Sequence, residues 1–249
     1  MSDFEQLGLF DEEYPEYKIS NKIRLIELFA GISAQSMALK GLGVDFERYR
    51  AIEFDEFAMK SYNAICGTDF KPTDIRDIHA ADLGITECDK YTYIMTYSFP
   101  CTDLSLAGRQ AGMSRDSGTR SGLLWEVERL LKESGDNLPQ ILVMENVPTI
   151  HSDKNIVDFE EWILFLRHLG YSNYYGDLNA KDFGVPQNRD RCFMVSMLGK
   201  YDFQFPKTIP LEKVINDVLE EDVPEKFFIR SEKAELLINQ LIKDGKIEE

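Results

Sequence analysis

Four side chains that could do chemistry lie just beyond apolar segments of the chain. Cys101 follows the apolar segment Tyr91–Tyr97, at a place where a thiol could act as a nucleophile. Glu145 comes directly after another apolar run, and a carboxyl group there could donate or accept a proton. Arg189 and Arg191 come later and could bind an anion. Cys101 alone decides little, because free cysteines are more often small buried hydrophobes.

The elements that must position these residues alternate between strands and helices. We predict strands over 23–29, 50–54, 91–97, 141–144, 171–178 and 192–198, and helices over 34–41, 57–65, 121–131 and 162–169. This alternation predicts an α/β fold with a doubly wound, mostly parallel sheet and helices on both faces. Ligands of such sheets bind at the carboxyl ends of the strands, where the four residues fall.

The first predicted strand and helix are joined by a turn of small residues. Ala30, Gly31 and Ser33 would let a ligand approach the backbone at the start of a helix. Glu53 lies about 20 residues further on, where an acid can accept hydrogen bonds from ribose hydroxyls. The pairing favours an adenosine-type cofactor, although an ordinary strand-to-helix turn would give the same pattern.

The charge of the chain is strongly acidic but unevenly placed. The net charge of −16 argues against a nucleic-acid partner, because phosphate binding depends on clustered Lys and Arg. However, residues 1–20 hold six acids against one base, and residues 212–249 hold eleven acids against six bases. A stretch between these ends contains four arginines that could face a phosphate backbone: Arg109, Arg115, Arg120 and Arg129.

Cysteine and histidine spacing predicts neither a disulfide framework nor a metal site. The four cysteines form no CxxC pair, and the three histidines have no ligand-like spacing with a Cys or with one another. No apolar run approaches the length of about 20 residues that a membrane span needs. The acidic N-terminus does not have the pattern of a signal peptide, so we expect a cytoplasmic protein without a membrane contact.

Six short motifs occur in order along these elements. They are Phe29-Ala30-Gly31-Ile32, Glu53-Phe54, Asp74-Ile75, Pro100-Cys101, Glu145-Asn146-Val147 and the segment from Gln187 to Arg191. With them the chain resembles the DNA cytosine-5 methyltransferase family over about residues 23–198. The resemblance implies a Rossmann-like sheet that binds S-adenosylmethionine. The implied cofactor contacts are Phe29, Ala30, Gly31, Ile32, Ser33, Glu53, Phe54, Asp74, Ile75, Pro100 and Leu123.

The resemblance also implies catalytic roles on double-stranded DNA. Cys101 would attack C6 of a flipped-out cytosine, Glu145 would lie near N3, and Arg191 near O2. Arg189 would lie closer to phosphate or support the structure. Asn146 is expected to orient the Cys101 loop, while Ser105 and Gln187 would contact DNA or support the site. An RNA (transfer RNA) cytosine-5 methyltransferase, or a non-catalytic accessory or remnant subunit, remains an alternative.

Two departures from the family pattern matter. Ser33 stands where the family usually has a second glycine, which could narrow the approach to the cofactor. The family's target-recognition domain and C-terminal motifs are not evident after Arg191, so the chain resembles the larger subunit of a split enzyme that needs a second subunit. We therefore divide the chain into an acidic, flexible leader (1–20), a catalytic domain (21–200) and an acidic C-terminal appendage (201–249).

The two ends of the chain carry further expectations. Gln6, Leu7, Leu9 and Phe10 resemble the short peptide that binds the bacterial sliding clamp, although an ordinary packed tail fits as well. Such a protein would be bacterial or phage-encoded and associated with the nucleoid. In the appendage, the pattern predicts a helix over 211–219, a strand over 226–229 and an acidic helix over 231–243.

Overall fold

A six-stranded mixed sheet forms the centre of the molecule in the computed structural model, which describes residues 14–104, 111–115 and 117–247. The strands are β1 (Lys22–Leu28), β2 (Phe46–Ile52), β3 (Tyr91–Tyr97), β4 (Ile141–Asn146), β5 (Tyr171–Asn179) and β6 (Asp190–Leu198). Their spatial order is β2-β1-β3-β4-β6-β5. The first four strands run parallel, and β6 is antiparallel to both its neighbours. The predicted α/β fold with a mostly parallel sheet is confirmed.

Helices cover both faces of this sheet. They are α1 (Ala34–Gly41), α2 (Glu56–Cys66), α3 (Ala80–Leu83), α4 (Leu124–Glu133) and α5 (Ile156–His168). A sixth helix, α6 (Glu232–Lys243), has no buried residue and is not part of these layers. Alternate residues of a strand point to opposite faces. On one face, Met95 of β3 therefore packs in a large cluster with Leu130 of α4 and Trp162 of α5. On the other face, the neighbouring residue Ile94 belongs to a smaller cluster that Leu39 of α1 packs against. Burial on both faces explains why the central strands read as continuous apolar runs.

The described end of the acidic leader contacts the domain. The backbone N–H of Asp202 donates to the carbonyl of Pro15 over 3.1 Å. The ring of Tyr17 lies 4.7 Å from that of Tyr201 in an edge-to-face arrangement. Residues 15–17 and 201–202 therefore hold one another against the sheet.

The C-terminal segment differs from its predicted secondary structure. The expected helix over 211–219 is only a short 3₁₀ turn, Ile215–Val218, and the expected strand over 226–229 is a 3₁₀ turn, Glu225–Phe227. Residues 206–233 are exposed, so no packing stabilises a longer helix there. Among the described strands none pairs with 226–229. The predicted acidic helix over 231–243 is confirmed as α6. It begins after Ser231, whose hydroxyl accepts a hydrogen bond from the N–H of Ala234.

Within the described ranges, no helix has the length and apolar character needed to cross a bilayer.

Candidate active site

The loop that carries Cys101 leaves the sheet beside the end of β4. Tyr97 of β3 is the register partner of Met144, so Cys101 and Glu145 both follow the same edge of the sheet. The buried side chain of Asn146 joins the two segments, because its Nδ2 donates to the carbonyl of Phe99 over 3.0 Å. The structure thus gives Asn146 a direct contact with the segment leading to Cys101, which is half-buried and a free thiol.

A buried carboxylate holds the other side of the same loop. Asp103 is only 7% exposed, and its Oδ2 accepts the backbone N–H groups of Arg120 (2.8 Å) and Ser121 (3.2 Å). The hydroxyl of Ser121 in turn donates to the carbonyl of Pro100 over 2.6 Å. A buried charge needs such partners to offset its lost hydration. Residues 100–103 are therefore fixed against the turn before α4.

Glu145 and Arg191 form an ion pair at this edge. Arg191 Nε lies 2.8 Å from Glu145 Oε1, and the side chains are 20% and 25% exposed, respectively. The pair arises because β4 and β6 are antiparallel, with Glu145 opposite Phe193. The partly open carboxylate and guanidinium could together bind a planar ligand that offers both a donor and an acceptor.

The turn that precedes β6 carries the other predicted residues and is organised by Asn179. Its buried amide accepts at Oδ1 from the backbone N–H of Arg189 (3.2 Å), and its Nδ2 donates to the side chains of Asn188 and Asp190, each over 2.7 Å. Arg189 and Gln187 are exposed. Our sequence reasoning missed Asn179, although an Asn at a strand end is a known local signal for turns.

A cavity of about 310 Å³ lies next to the Cys101 loop. Seven of the eleven predicted cofactor residues line it: Phe29, Glu53, Phe54, Asp74, Ile75, Pro100 and Leu123. Ser98 and Thr119 also line it and were missed, because no sequence motif marks them. Arg120 lines it too, although the sequence predicted that this arginine faces phosphate rather than a cofactor. The guanidinium carbon of Arg120 is 5.8 Å from the ring centre of Phe54. The cavity thus combines apolar walls with two carboxylates.

The two carboxylates of the cavity are held by nearby N–H groups. Glu53 accepts from the backbone of Gly31 (3.0 Å) and of Asp55 (2.9 Å). Asp74 accepts from the Nε (2.9 Å) and Nη2 (2.6 Å) of Arg76, and this pairing holds the pKa of Asp74 below its ordinary value. Asp74 is therefore ionised at neutral pH.

The turn from Ala30 to Ser33 lies outside the lining of the cavity. It is made by left-handed backbone at Phe29 (φ 56°), Gly31 (φ 53°) and Ser33 (φ 76°). Ser33 is fully buried and its Oγ accepts from the thiol of Cys66 over 3.0 Å. Its side chain is therefore not part of the cavity lining, and its predicted effect on the approach to the cofactor stays a prediction. Ala30, Gly31, Ile32 and Ser33 remain predicted cofactor contacts.

The predicted phosphate-facing arginines serve different purposes. Arg115 is paired with Glu128 and Glu161, and Arg129 with Glu126 and Glu133, so both are held within the fold. Arg120 lines the cavity. Outside the described residues lie Arg109, Ser105 and the predicted clamp peptide with Gln6, Leu7, Leu9 and Phe10.

Known proteins are similar to this chain in sequence. The type II methyltransferase M2.ScrFI of Lactococcus lactis subsp. cremoris is 47% identical over 140 residues, which are 56% of this chain and 38% of that protein. The type II methyltransferase M.HaeII of Haemophilus aegyptius is 32% identical over 224 residues, 89% of this chain and 65% of that protein. The chain thus spans 38% and 65% of the lengths of these two relatives.

Structural comparison agrees at the level of the fold. The crystal structure of the S. pombe Dnmt2 methyltransferase superposes with a TM-score of 0.65 at 22% identity, over 88% of this chain and 66% of that one. The family model for C-5 cytosine-specific DNA methylases matches residues 23–247, a range that contains every predicted catalytic position named above. On this match, the chain belongs to the C-5 cytosine-specific DNA methylase family.

Proposed function

We propose that this chain transfers a methyl group from S-adenosylmethionine to C5 of a cytosine in DNA. The observation that carries the proposal is the meeting of Cys101, Glu145 and Arg191 at one sheet edge, beside a cavity with two carboxylates. Neither the Glu145–Arg191 ion pair nor the cavity alone would support methyl transfer to cytosine. Together they supply a nucleophile, a proton-holding group and a place for a cofactor.

The cavity suits an adenosine-type cofactor. Phe54, Ile75 and Leu123 provide apolar surface for an aromatic ring, and Glu53 and Asp74 provide acceptors for hydroxyl and amino groups. S-adenosylmethionine, when bound, supplies the electrophilic methyl group. The lining includes Pro100, one residue before Cys101, so cofactor and nucleophile would be neighbours.

The protein's own residues account for activation of the base. The Cys101 thiolate forms a bond to C6 of cytosine, and the electron pair of the C5–C6 double bond becomes available at C5 for methylation. Glu145, held by Arg191, would carry a proton near N3 and so relieve the negative charge that develops on the ring. Loss of the C5 proton and expulsion of Cys101 then restore the aromatic ring. Because the thiolate attacks the ring face, the base must leave the stacked duplex.

DNA is favoured over RNA as the substrate. The matching family is described as DNA methylases, and the two bacterial relatives are type II methyltransferases. A cytoplasmic, nucleoid-associated location would follow, and the possible clamp contact would fit it. An RNA cytosine-5 methyltransferase is the second candidate, since it would use the same catalytic groups.

A second subunit or segment is proposed to cover the C-terminal region. Large apolar side chains, each at least 45% exposed, crowd this region: Ile209, Leu211, Val214, Ile215, Val218, Leu219, Phe227, Phe228, Ile229, Leu236, Leu237 and Ile238. A large number of exposed apolar side chains in one segment is typical of an interaction site. Residues 212–249 carry eleven acids and six bases, so the partner would present apolar and basic side chains. It would supply target recognition.

The test measures transfer of a labelled methyl group to duplex DNA and to RNA. We expect incorporation into DNA, abolished by Cys101→Ser, with Cys88→Ser as the control for a thiol elsewhere in the fold. Incorporation into RNA alone would support the second candidate. Rapid, sequence-specific methylation by the chain without a partner would contradict the proposed second subunit while leaving the chemistry intact.

A further inference from the structure

Three side chains outside the site described above converge at the end of the sheet. They are His151 from the 3₁₀ turn after β4, Asp177 from β5 and Cys192 from β6. His151 Nε2 lies 3.0 Å and 3.1 Å from the two carboxylate oxygens of Asp177. One donor atom from each of the three side chains lies within 4.8 Å of the others. The proposed methyl transfer uses none of them.

The fold holds this group in place. Asp177 and Cys192 are register partners on adjacent antiparallel strands, so their side chains leave the same face of the sheet. The imidazole of His151 lies against the rings of Tyr175 (5.8 Å) and Phe159 (6.2 Å). Cys192 is fully buried, whereas the side chains of His151 and Asp177 are 29% and 39% exposed. The sulfur is thus buried, whereas the imidazole and the carboxylate are partly open to solvent.

We propose that His151, Asp177 and Cys192 bind one Zn²⁺ ion. Imidazole, carboxylate and thiolate are the ligands that zinc takes in proteins, whereas magnesium and calcium prefer oxygen. Bonds of about 2.0–2.3 Å to zinc bring its ligand atoms roughly 3–4 Å apart, so small side-chain rotations would close the group around the ion. No fourth His, Cys or acid joins the group within the described residues, which leaves one position for water.

Binding would change the state of the sulfur. Burial, aided by the charge of Asp177, raises the pKa of Cys192 to about 12, so the free thiol is protonated at neutral pH. Zinc would replace that proton: the S–H bond breaks, a Zn–S bond forms, and the thiol proton is released to solvent. His151 would bind through Nε2 without a proton on that atom, so a charged imidazole paired with Asp177 would release a second proton. In the competing explanation, a His151–Asp177 contact above an inert thiol, no zinc binds and no proton is released.

The ion would link three elements close to the sheet edge that carries Glu145 and Arg191. His151 lies on the turn that follows Glu145, and Cys192 is the residue after Arg191. Asn146 is the register partner of Cys192. Zinc would therefore fix the end of β4 relative to β6, and with it the relative position of Glu145 and Arg191. The sequence predicted no metal site because the ligands come from three elements far apart in the chain.

The test is titration of the metal-free, reduced full chain with Co²⁺, a spectroscopic substitute for zinc. We expect one equivalent to produce a thiolate-to-cobalt charge-transfer band that Zn²⁺ removes by displacement. Cys192→Ala should abolish the band, and Cys88→Ala should retain it. Loss of a residue that hydrogen-bonds to a metal ligand typically weakens metal binding by about 10- to 100-fold. His151→Gln removes a ligand itself, so it should weaken cobalt binding by at least that factor.

Two outcomes would overturn the proposal. One is a wild-type chain that gives no thiolate band, and the other is a band that persists unchanged in Cys192→Ala. Should Cys192→Ala fail to fold, the partly exposed His151→Gln still decides, since unaltered cobalt affinity in that variant would contradict the site. Calorimetry in buffers of different ionisation enthalpy should also detect proton release when zinc binds.

Discussion

Replacing Asn146 by alanine is expected to detach the Cys101 loop from the end of β4. The amide makes two hydrogen bonds, one to the carbonyl of Phe99 (3.0 Å) and one from the N–H of Val147 (2.9 Å). Both groups are buried, and each one left without a partner costs about 1–3 kcal/mol. The free energy of unfolding should thus fall by about 2–6 kcal/mol.

The substitution should change the position of the Cys101 loop as well as the free energy of unfolding, and two separate measurements distinguish these effects. Urea denaturation followed by tryptophan fluorescence measures stability, and covalent trapping of Cys101 on DNA measures loop position in the folded fraction. Tyr171→Phe is the matched control, because it removes a buried hydrogen bond of 2.6 Å to the carbonyl of Pro139, before β4 begins. We expect both variants to lose stability but only Asn146→Ala to lose trapping rate. Equal trapping rates would refute the positioning role of Asn146.

Three further predictions concern other parts of the fold. Tyr62→Phe removes the hydroxyl that donates to buried Glu27, so the free energy of unfolding should fall by about 1–3 kcal/mol in urea denaturation. Glu133 has its pKa lowered to about 2, chiefly by a hydrogen bond from Arg129. Its contribution to stability is present above its ordinary pKa of 4.5 and lost as pH falls toward 2, so the stability difference between wild type and Glu133→Gln should vanish in acid melts. Asn179→Ala should lower the methylation rate more than cofactor affinity, measured by initial rates and calorimetry; the reverse would contradict its role in the turn before β6.

The sequence was sufficient for the elements whose burial pattern is strong. β3 (Tyr91–Tyr97) and α1 (Ala34–Gly41) have the predicted bounds, because continuous apolar runs and helical spacing reflect packing directly. β1 ends at Leu28, one residue before the predicted end, because the backbone of Phe29 is left-handed. No local sequence pattern predicts that conformation. β2 begins at Phe46 rather than 50, since its first residues pair with Ile23 to Leu25 of β1. Pairing of this kind depends on tertiary structure.

Motifs in the sequence mark part of the candidate site, whereas residues that only tertiary contacts define were missed. Glu53 and Asp74, which the motifs predict as cofactor contacts, line the cavity, and their contact with a cofactor stays a prediction. Asp103 and Asn179, in contrast, act through backbone groups of residues far along the chain, so their roles emerge only after folding. The helix over 211–219 and the strand over 226–229 were predicted from apolar patterns, but these side chains have no packing partner in the described structure.

Covalent trapping of Cys101 tests the central claim most directly. The substrate is duplex DNA in which 5-fluorocytosine replaces cytosine. The fluorine at C5 cannot be removed as the proton is, so a chain that attacks C6 should remain bonded to the DNA after methyl transfer. We predict an adduct of one chain per DNA that digestion and mass spectrometry map to Cys101, and none with Cys101→Ser. An adduct at another residue, or no adduct in the presence of S-adenosylmethionine and the proposed second subunit, would contradict the account.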